Sequence, residues 1–366
     1  MRVLHVNAGL EKGGGLFHIV NLLQVAKEEN KDFTLLTFAD GPVAQAAREV
    51  GAKADVLSID SRYNAKVLSK LRDYINAGQF DIVHTHGARA NLFMSLINRK
   101  VNAKWVITVH SDPTKDFGGR GVVGKVFTKL NLRSLDRADR LLSVTQNFKQ
   151  LLVDKVGISA NKISVIYNGI FFDNDEKIHT PHTEFNLINV ARMEPIKGQL
   201  LLLQAIAELN LPELKLHFVG DGSVLSDLQK YVTEHDLADK VVFHGFLAQP
   251  EIAELYQTMD LAVLTSYSES FPLVLLEAAN AQVPILSTNV GDIEQMIPDA
   301  KHGFTAQIGD VESIKKGIQS AYNLNNQESQ KLQEMAQIEK DYLSTNFSMQ
   351  NQLHSIENIY QEVLHK

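Results

Sequence analysis

The sequence contains no cysteine in its 366 residues. Structural disulfides, thiolate metal sites and a cysteine nucleophile are therefore excluded. It also lacks any apolar run near the eighteen or so residues that a membrane-spanning helix needs. Its first residues, 1–7, are typical of a short strand and not of a signal peptide. Together these absences predict a soluble protein of the cytoplasm.

Charge is distributed unevenly along the chain, although its net value is only −7. Residues 1–166 contain 24 basic and 15 acidic side chains and carry +9, whereas the remainder contains 12 basic and 28 acidic side chains and carries −16. A chain of this length suits two domains of ordinary size. The asymmetry indicates two units with different surroundings. The basic half is suited to an anionic partner, such as lipid headgroups, nucleic acid or an anionic acceptor.

Apolar segments of strand length alternate with helical patterns through both halves. The predicted strands are residues 3–6, 33–38, 56–59, 81–85, 105–109, 141–144 and 163–166, then residues 187–190, 216–219, 241–243, 261–264 and 284–287. This alternation predicts an α/β protein with parallel sheets covered by helices on both faces. Ligands of such sheets bind beyond the carboxyl ends of the strands. Near the end of the chain, an amphipathic helix is predicted by apolar residues spaced four and three apart: Met349, Leu353, Ile356, Tyr360 and Val363.

Residues 266–278 form the most informative stretch of the sequence. Two glutamates, Glu269 and Glu277, follow a predicted buried strand, and a helical pattern begins near Pro272, which we expect in the first helical turn. The start of a helix presents free N–H groups and a partial positive charge, which suit a phosphate oxygen. Glu277 lies within an apolar stretch, so its charge needs a partner or a polar ligand.

Other candidate binding residues also follow predicted strands. Arg192 and Lys197 come after a strand of the second half, and a planar guanidinium with a compact ammonium suits a diphosphate. In the first half, three consecutive glycines, residues 13–15, follow the first strand and would let the backbone approach a phosphate or a sugar closely. His110 ends another strand and is expected at the same sheet edge.

With these motifs the chain resembles the retaining glycosyltransferases of the GT-B type, specifically family GT4, the glycosyl transferases group 1. The resemblance covers essentially the whole chain, and its specific parts are the two-glutamate block and the Arg-x4-Lys-Gly motif. It implies two Rossmann-like domains with parallel sheets facing a cleft, and a C-terminal helix that crosses back to the first domain. The implied acceptor domain is residues 1–168 with the helix 347–366, and the implied nucleotide-sugar domain is residues 169–346.

The resemblance also implies roles for individual residues. Arg192 and Lys197 would hold the diphosphate, Glu269 would hold sugar hydroxyls, and Glu277 would accept hydrogen bonds from the ribose. His110 would contact the donor sugar from the other domain. The remaining implied donor-binding residues act through their backbone and are Gly14, Gly15, Leu247, Phe271, Pro272 and Leu273.

The implied function is transfer of a sugar from a nucleotide-sugar, expected to be UDP-linked, to a polysaccharide, glycolipid or lipid-linked acceptor in cell-surface glycan synthesis. Fixed cations and a helix N-terminus would stabilise the leaving diphosphate, so we expect no metal and no cofactor. Two alternatives stay open at this point. One is a nucleotide-sugar epimerase of the same fold, and the other is a nucleotide-binding module without catalysis.

Three patterns are not expected to form the sites that they suggest. Residues 119–124 match G-x-G-x-x-G but do not directly follow a strand, so no dinucleotide site is predicted. Asp173 and Asp175 match the Asp-x-Asp metal motif of another glycosyltransferase architecture but lie in a polar linker, residues 171–184, as solvated charges. His84 and His86 share one strand face but lack a nearby acidic or cysteine ligand, so a metal site is not predicted.

A basic stripe in the first half suggests where an acceptor is reached. Lys125, Lys129, Arg133 and Arg137 recur every four residues among apolar neighbours. On a helix this pattern predicts peripheral attachment to an anionic membrane surface on the inner face of the membrane, where a lipid-linked acceptor would lie. The alternative is a solvated face whose apolar residues pack onto the domain. No nucleic-acid partner is expected.

Overall fold

The computed structural model describes residues 1–11, 13–57, 66–116, 121–173 and 183–365. The chain divides into two compact units. The first is Met1–Asn168 together with Met349–Lys366, and the second is Gly169–Ser348. Each unit is built around one parallel sheet with helices between successive strands. The α/β fold class predicted from the alternation of apolar segments is therefore confirmed.

The first unit contains a seven-stranded sheet. Its strands are β1 (Arg2–Asn7), β2 (Asp32–Thr37), β3 (Lys53–Val56), β4 (Ile82–His86), β5 (Lys104–Val109), β6 (Arg140–Ser143) and β7 (Ile163–Val165). They pair in parallel in the order β3-β2-β1-β4-β5-β6-β7. Sheet growth reverses direction between β1 and β4, and open α/β sheets bind their ligands at such a switch point.

Helices connect most successive strands of this sheet. They are α1 (Gly14–Glu28), α2 (Pro42–Glu49), α3 (Lys66–Gly78), α4 (Ala88–Ile97), α5 (Gly121–Leu135) and α6 (Gln146–Leu151). The central strands β1, β4 and β5 are almost wholly buried, as expected for a parallel sheet covered on both faces. Trp105 lies in this core with 1% of its surface exposed, and its indole N–H donates to Thr85 Oγ1 at 2.9 Å.

The second unit contains a six-stranded parallel sheet. Its strands are β8 (Phe185–Val190), β9 (Leu214–Val219), β10 (Val241–Phe243), β11 (Leu261–Leu264), β12 (Ile285–Thr288) and β13 (Phe304–Ala306), in the order β10-β9-β8-β11-β12-β13. Its helices are α7 (Gln199–Glu208), α8 (Leu225–Glu234), α9 (Gln249–Tyr256), α10 (Leu273–Asn280) and α11 (Val311–Phe347). Helix α11 is kinked at Glu328, whose backbone leaves the helical region (φ −148°, ψ 53°).

The last helix, α12 (Met349–Leu364), follows a break at Ser348 and belongs to the first unit. All five apolar residues that predicted an amphipathic helix are buried in it. The Tyr360 hydroxyl forms a hydrogen bond with His84 Nδ1 on β4. The amphipathic helix predicted from the spacing of four and three is therefore confirmed.

Two strand predictions were wrong in detail. The third strand is Lys53–Val56 and begins three residues before the predicted one, because Lys53–Val56 pairs with β2. Residues 58 and 59 of the predicted strand lie outside the described residues. The edge strand β13 was missed because its three residues, Phe304–Ala306, include a polar threonine and form no continuous apolar run.

Candidate active site

Two loops, at the carboxyl ends of β8 and β11, carry predicted residues of the second unit. These strands are neighbours in the sheet, so the loops that follow them lie side by side. The backbone N–H of Tyr267 donates to the carbonyl of Ile196 at 2.8 Å, and that of Gly220 donates to Gly245 at 2.7 Å. Backbone hydrogen bonds therefore fix the positions of the loops before any ligand is present.

Lys197 and Glu269, 72 residues apart in sequence, form an ion pair in this region. Lys197 Nζ lies 2.6 Å from Glu269 Oε1, and their side chains are 18% and 11% exposed. Ser266 Oγ donates to the same carboxylate oxygen at 2.6 Å. The sequence suggested that both residues contact the donor, but it did not predict that they contact each other, nor that Ser266 takes part.

Two glycines allow the loops around this pair to approach so closely. Gly198 has φ +66°, and a Cβ atom there would lie 2.2 Å from the carbonyl oxygen of Thr265. Gly291, which follows β12, has φ +58°, and its Cβ would lie 2.5 Å from the carbonyl oxygen of Glu269. Side chains at either position would push apart the loops that carry Lys197 and Glu269.

Helix α10 begins directly after the Glu269 loop. Pro272 is its capping residue and not part of the first turn, because its ψ of 100° is extended. Phe271 and Pro272 are buried and Leu273 is half-buried. The first residue of the helix, Leu273, follows Glu269 by four residues. Phe271 packs against Phe347, with ring centroids 5.1 Å apart.

Glu277 lies on α10 and is mostly buried. Burial raises the pKa of Glu277 from 4.5 to about 6. Gln249 Nε2 donates to its Oε1 at 3.1 Å. A carboxylate in this setting has spare acceptor capacity and would be stabilised in its charged form by further donors, such as vicinal hydroxyl groups.

The other two predicted residues of this unit lie at the same sheet edge. Arg192 is exposed in the loop after β8, and the buried Gln199 holds that loop by donating to the Arg192 carbonyl at 3.0 Å. Leu247 is half-buried in the segment after β10, beside Phe246, which is 82% exposed. A diphosphate-binding role for Arg192 and a donor-binding role for the Leu247 backbone stay predictions.

In the first unit, His110 belongs to a cluster of histidines at the switch point of the sheet. The members are His5, His18, His84, His86 and His110. His86 Nδ1 lies 3.1 Å from His110 Nε2, and His86 Nε2 lies 3.0 Å from His5 Nδ1. The sequence singled out His84, His86 and His110, but the meeting of all five depends on the pairing of β1, β4 and β5.

The histidine cluster bears on the expectation that His84 and His86 bind no metal. One ring nitrogen of each of His18, His86 and His110 lies within 4.8 Å of the other two. However, both nitrogens of His86 already contact other imidazoles, and both of His84 contact hydroxyl groups, those of Tyr360 and Thr108. Hydrogen bonding accounts for these contacts, and the absence of a metal stays a prediction.

The three glycines after β1 do not form the turn that we expected between the strand and the helix. Helix α1 begins at Gly14, so Gly14 and Gly15 belong to its first turn and Gly13 is its capping residue. A Cβ on Gly15 would lie 2.9 Å from the carboxylate of Glu11. Burial raises the pKa of Glu11, and this half-buried carboxylate beside the glycines was missed from sequence.

The basic stripe lies on α5 only in part. Lys125, Lys129 and Arg133 are exposed on the helix. Arg137 lies in the turn after the helix, which ends at Leu135, and its guanidinium donates to the Ser95 carbonyl at 2.9 Å. The predicted four-residue stripe is therefore a stripe of three.

Apolar side chains accompany these cations on α5. Val122, Val123, Val126 and Leu130 are 78%, 62%, 53% and 39% exposed. The exposed face of the helix thus combines cations with apolar groups. No helix among the described residues is long and apolar enough to cross a membrane.

The two remaining sequence patterns lie partly outside the described residues. Gly119 and Arg120 lie outside them, whereas Gly121–Gly124 forms the first turn of α5 and not a strand-to-helix loop. Asp175 and most of the predicted linker also lie outside them. Asp173 is exposed but not simply solvated, because it exchanges hydrogen bonds with Asn280 at 3.1 and 3.0 Å and lies 3.5 Å from Lys340 Nζ.

Two family models match consecutive parts of the chain. Glycosyltransferase Family 4 matches residues 12–173, and Glycosyl transferases group 1 matches residues 171–339. This chain belongs to the family 4 glycosyltransferases. The resemblance that the motifs indicated is therefore confirmed, and glycosyl transfer is its chemistry.

Individual relatives of this glycosyltransferase are more distant. It is 27% identical over 269 residues to UDP-Gal:alpha-D-GlcNAc-diphosphoundecaprenol alpha-1,3-galactosyltransferase of Escherichia coli, with 68% of each chain covered. It is 26% identical over 268 residues to N-acetyl-alpha-D-glucosaminyl L-malate synthase of Bacillus anthracis, covering 69% of this chain and 68% of the relative.

A solved structure shows the fold of this glycosyltransferase. HepE of Anabaena, crystallised in complex with UDP, is similar over 99% of this chain and 100% of its own, with a TM-score of 0.79 and 18% identity. The predicted GT-B fold of two Rossmann-like domains is confirmed by this likeness together with the two parallel sheets.

Proposed function

We propose that this glycosyltransferase moves a sugar from a UDP-sugar to a lipid-linked or glycan acceptor in cell-surface glycan synthesis, with retention of configuration and without a metal ion. The observation that carries the proposal is the Lys197–Glu269 pair, in which Glu269 lies four residues before the start of α10. The name of the Escherichia coli relative supports a UDP-linked donor and a lipid-linked acceptor, and the UDP complex of HepE supports the nucleotide.

The residues of the second unit match the charge changes of this reaction. Breaking the sugar–phosphate bond leaves positive charge on the sugar and negative charge on the departing diphosphate. Lys197, Arg192 and the first N–H groups of α10 would stabilise the diphosphate, and this stabilisation is greatest in the transition state. Glu277 would hold the ribose hydroxyls. Glu269 would exchange part of its contact with Lys197 for hydroxyl groups of the donor sugar.

Retention requires the acceptor hydroxyl to attack from the face that the diphosphate leaves. In this scheme the acceptor oxygen forms the new bond to the anomeric carbon as the sugar–phosphate bond breaks. The proton of the acceptor hydroxyl moves to an oxygen of the leaving diphosphate. No protein nucleophile is needed, and the protein contributes orientation and electrostatic stabilisation.

A donor screen tests the proposal directly. Purified protein is incubated with UDP-, GDP- and ADP-linked sugars, and release of each nucleoside diphosphate is measured with and without a polyprenyl-diphosphate sugar acceptor. We expect release from one UDP-sugar, stimulated by the acceptor, and a product whose anomeric coupling by NMR matches that of the donor. Turnover of only GDP- or ADP-sugars would refute the donor, and an inverted product would refute retention.

We further propose that α5 attaches the first unit to an anionic membrane surface. Lys125, Lys129 and Arg133 supply the charge, while Val122 and Val126 supply exposed apolar groups on the same side of the helix. Each basic residue near such a surface adds roughly 1 kcal/mol, so three give at most about 3 kcal/mol before salt screening. The attachment would be weak and reversible, which suits an enzyme that must reach a lipid-linked acceptor and release it.

A further inference from the structure

Three imidazoles in the first unit are joined end to end. His5 Nδ1 contacts His86 Nε2 at 3.0 Å, and His86 Nδ1 contacts His110 Nε2 at 3.1 Å. His5 and His86 have no exposed surface, and His110 is half-buried. The series therefore runs from the interior of the unit to the residue that the family resemblance places against the donor sugar.

The protons in this series are coupled. A neutral imidazole has one N–H donor and one nitrogen acceptor, and burial keeps these rings neutral by lowering the pKa of His5 to about 3 and those of His86 and His110 well below the usual value. Only two arrangements satisfy both contacts. Either every ring carries its proton on Nδ1 and His5 donates first, or every ring carries it on Nε2 and His110 donates first.

The buried end of the series distinguishes the two arrangements. His5 Nε2 is buried and has no hydrogen-bond partner among the residues that the structure describes. If the rings carried protons on Nε2, this atom would be a buried N–H without an acceptor. If they carried protons on Nδ1, it would be a lone pair without a donor. Orphaned buried N–H groups are the rarer case in proteins, so the Nδ1 arrangement is favoured.

The neighbouring histidines hold the series without competing for its protons. His18 Nδ1 lies 2.9 Å from Asn168 Oδ1, and its ring packs edge-on against His110 with centroids 4.6 Å apart. His84 stacks on His86 with centroids 4.4 Å apart. Both nitrogens of His84 contact hydroxyl groups. The rings of His18 and His84 therefore fix the planes of His110 and His86 without forming hydrogen bonds to the series.

We propose that His5 and His86 are positioning residues that fix the tautomer of His110, with its proton on Nδ1 and its Nε2 occupied by His86. His110 then presents an N–H donor and has no free nitrogen that could act as a base. Resting on the proposed function, this assigns His110 a hydrogen bond to an oxygen of the donor sugar. The tautomer itself can be measured without donor or turnover.

The first test is spectroscopic. Protein labelled with 15N-histidine is studied in EDTA at neutral pH, and long-range 1H–15N correlation spectra distinguish protonated from bare ring nitrogens. His110→Asn and His86→Asn variants assign the signals. We expect protonated Nδ1 and bare Nε2 in both residues. A protonated Nε2 on His110 would overturn the proposal whether or not the enzyme uses a UDP-sugar.

The second test compares two replacements at the buried end. In His5→Asn, a side-chain amide lies near the position of Nδ1 and can still donate to His86, whereas His5→Leu cannot. We expect His5→Leu to give a mixed His110 tautomer and to lower kcat/KM on the order of tenfold, and His5→Asn to restore most of both. Thermal unfolding of the two variants serves as the folding control. An unchanged His110 spectrum in folded His5→Leu, or equal losses in both folded variants, would contradict the positioning role.

Discussion

At the scale of single residues, the ion pair of Lys197 and Glu269 is the centre of the proposed donor site. The pair is mostly buried, so removing one partner leaves the other with an uncompensated charge. We predict that Lys197→Met and Glu269→Gln each lower kcat by about a hundredfold, because each removes a group aimed at charge that changes in the transition state. Steady-state kinetics with the identified donor and circular dichroism of each variant give the measurement.

The double variant Lys197→Met/Glu269→Gln separates two interpretations of this pair. If the residues act as one unit, the double variant should lose little more than either single variant, since neither is left as an unpaired charge. If they act independently, the losses should multiply. Near-normal kcat/KM in either folded single variant would show that the pair is not part of the site.

Glu277 predicts a pH dependence of donor binding. Its pKa of about 6 is raised by burial, so the group becomes neutral as the pH falls through 6, and a neutral carboxyl group is a weaker acceptor for ribose hydroxyls. We expect KM for the UDP-sugar to rise below pH 6. A UDP-sugar is the appropriate probe because its diphosphate is doubly esterified and does not titrate in this range.

The matched variant for this effect is Glu277→Gln, which keeps the shape and loses the titration. It should bind the UDP-sugar weakly at every pH. Between pH 5 and 7 its KM should change much less than the KM of the wild type. A wild-type KM that stays constant through this range would show that Glu277 does not accept the ribose hydroxyls in its charged form.

A second buried carboxyl group, Glu339 on α11, predicts how stability changes with pH. Its side chain has no exposed surface, and burial raises its pKa well above the usual value, with the backbone of Ile285 opposing. The folded state therefore holds a proton that the unfolded state releases near pH 4.5. The free energy of unfolding should fall as pH rises above that value, by at most about 1.4 kcal/mol per pH unit.

We predict that Glu339→Gln removes this loss. Its stability advantage over the wild type should be small at pH 5 and should grow towards pH 8, as measured by urea midpoints at several pH values. Glu334→Gln on the exposed side of the same helix is the control and should leave the pH profile unchanged. Parallel profiles for wild type and Glu339→Gln would mean that the Glu339 carboxyl group is solvated in solution.

At the scale of secondary structure, the sequence predicted elements better than contacts. Apolar runs located eleven of the thirteen strands in the described residues, because a buried strand has a continuous apolar signal. Strand β3 is half exposed and was predicted three residues too late, and β13 was missed because a threonine interrupts its apolar residues. The Lys197–Glu269 pair and the five-histidine cluster were not predicted. The ion pair forms because β8 lies next to β11, and the histidine cluster forms because β4 lies between β1 and β5. The spacing of residues in the sequence does not reveal this order of strands.

Helix α5 carries the prediction that belongs to this scale. We expect the wild type to sediment with liposomes that contain anionic lipid at low salt, and to be released at high salt, because screening weakens the attraction. Changing Lys125, Lys129 and Arg133 to Ser should abolish most of this binding. Changing three exposed cations elsewhere in the first unit, Lys70, Arg99 and Lys100, to Ser removes the same charge and should have little effect.

The apolar side of α5 can be tested in the same assay. Val122→Ser with Val126→Ser keeps the charge and should weaken binding at both salt concentrations. Equal losses in the two sets of charge variants would show that net charge alone attracts the protein. No binding by the wild type would favour a soluble acceptor and a solvated face on α5.

At the scale of the whole molecule, the ligand types in both units predict that glycosyl transfer does not depend on a divalent metal. Hard ions such as Mg²⁺ and Mn²⁺ prefer clusters of oxygen ligands. The groups of three suitably close ligands found among the described residues consist of histidine alone. Asp173 is engaged with Asn280 and Lys340. In the proposed function, Lys197, Arg192 and the start of α10 neutralise the negative charge of the donor.

We therefore predict that EDTA leaves kcat/KM for the UDP-sugar unchanged and that added Mn²⁺ does not raise it. The matched variant is Asp173→Asn with Asp175→Asn, which removes the only Asp-x-Asp pattern in the sequence and should retain wild-type turnover. Lys197→Met provides the opposite control, since losing the cation that replaces a metal should lower turnover even when Mn²⁺ is present. Two results would contradict this prediction: Mn²⁺ restores the activity of EDTA-treated wild type, or the aspartate variant loses both Mn²⁺ binding and activity. Either result would mean that a metal holds the diphosphate and that Lys197 has a secondary role.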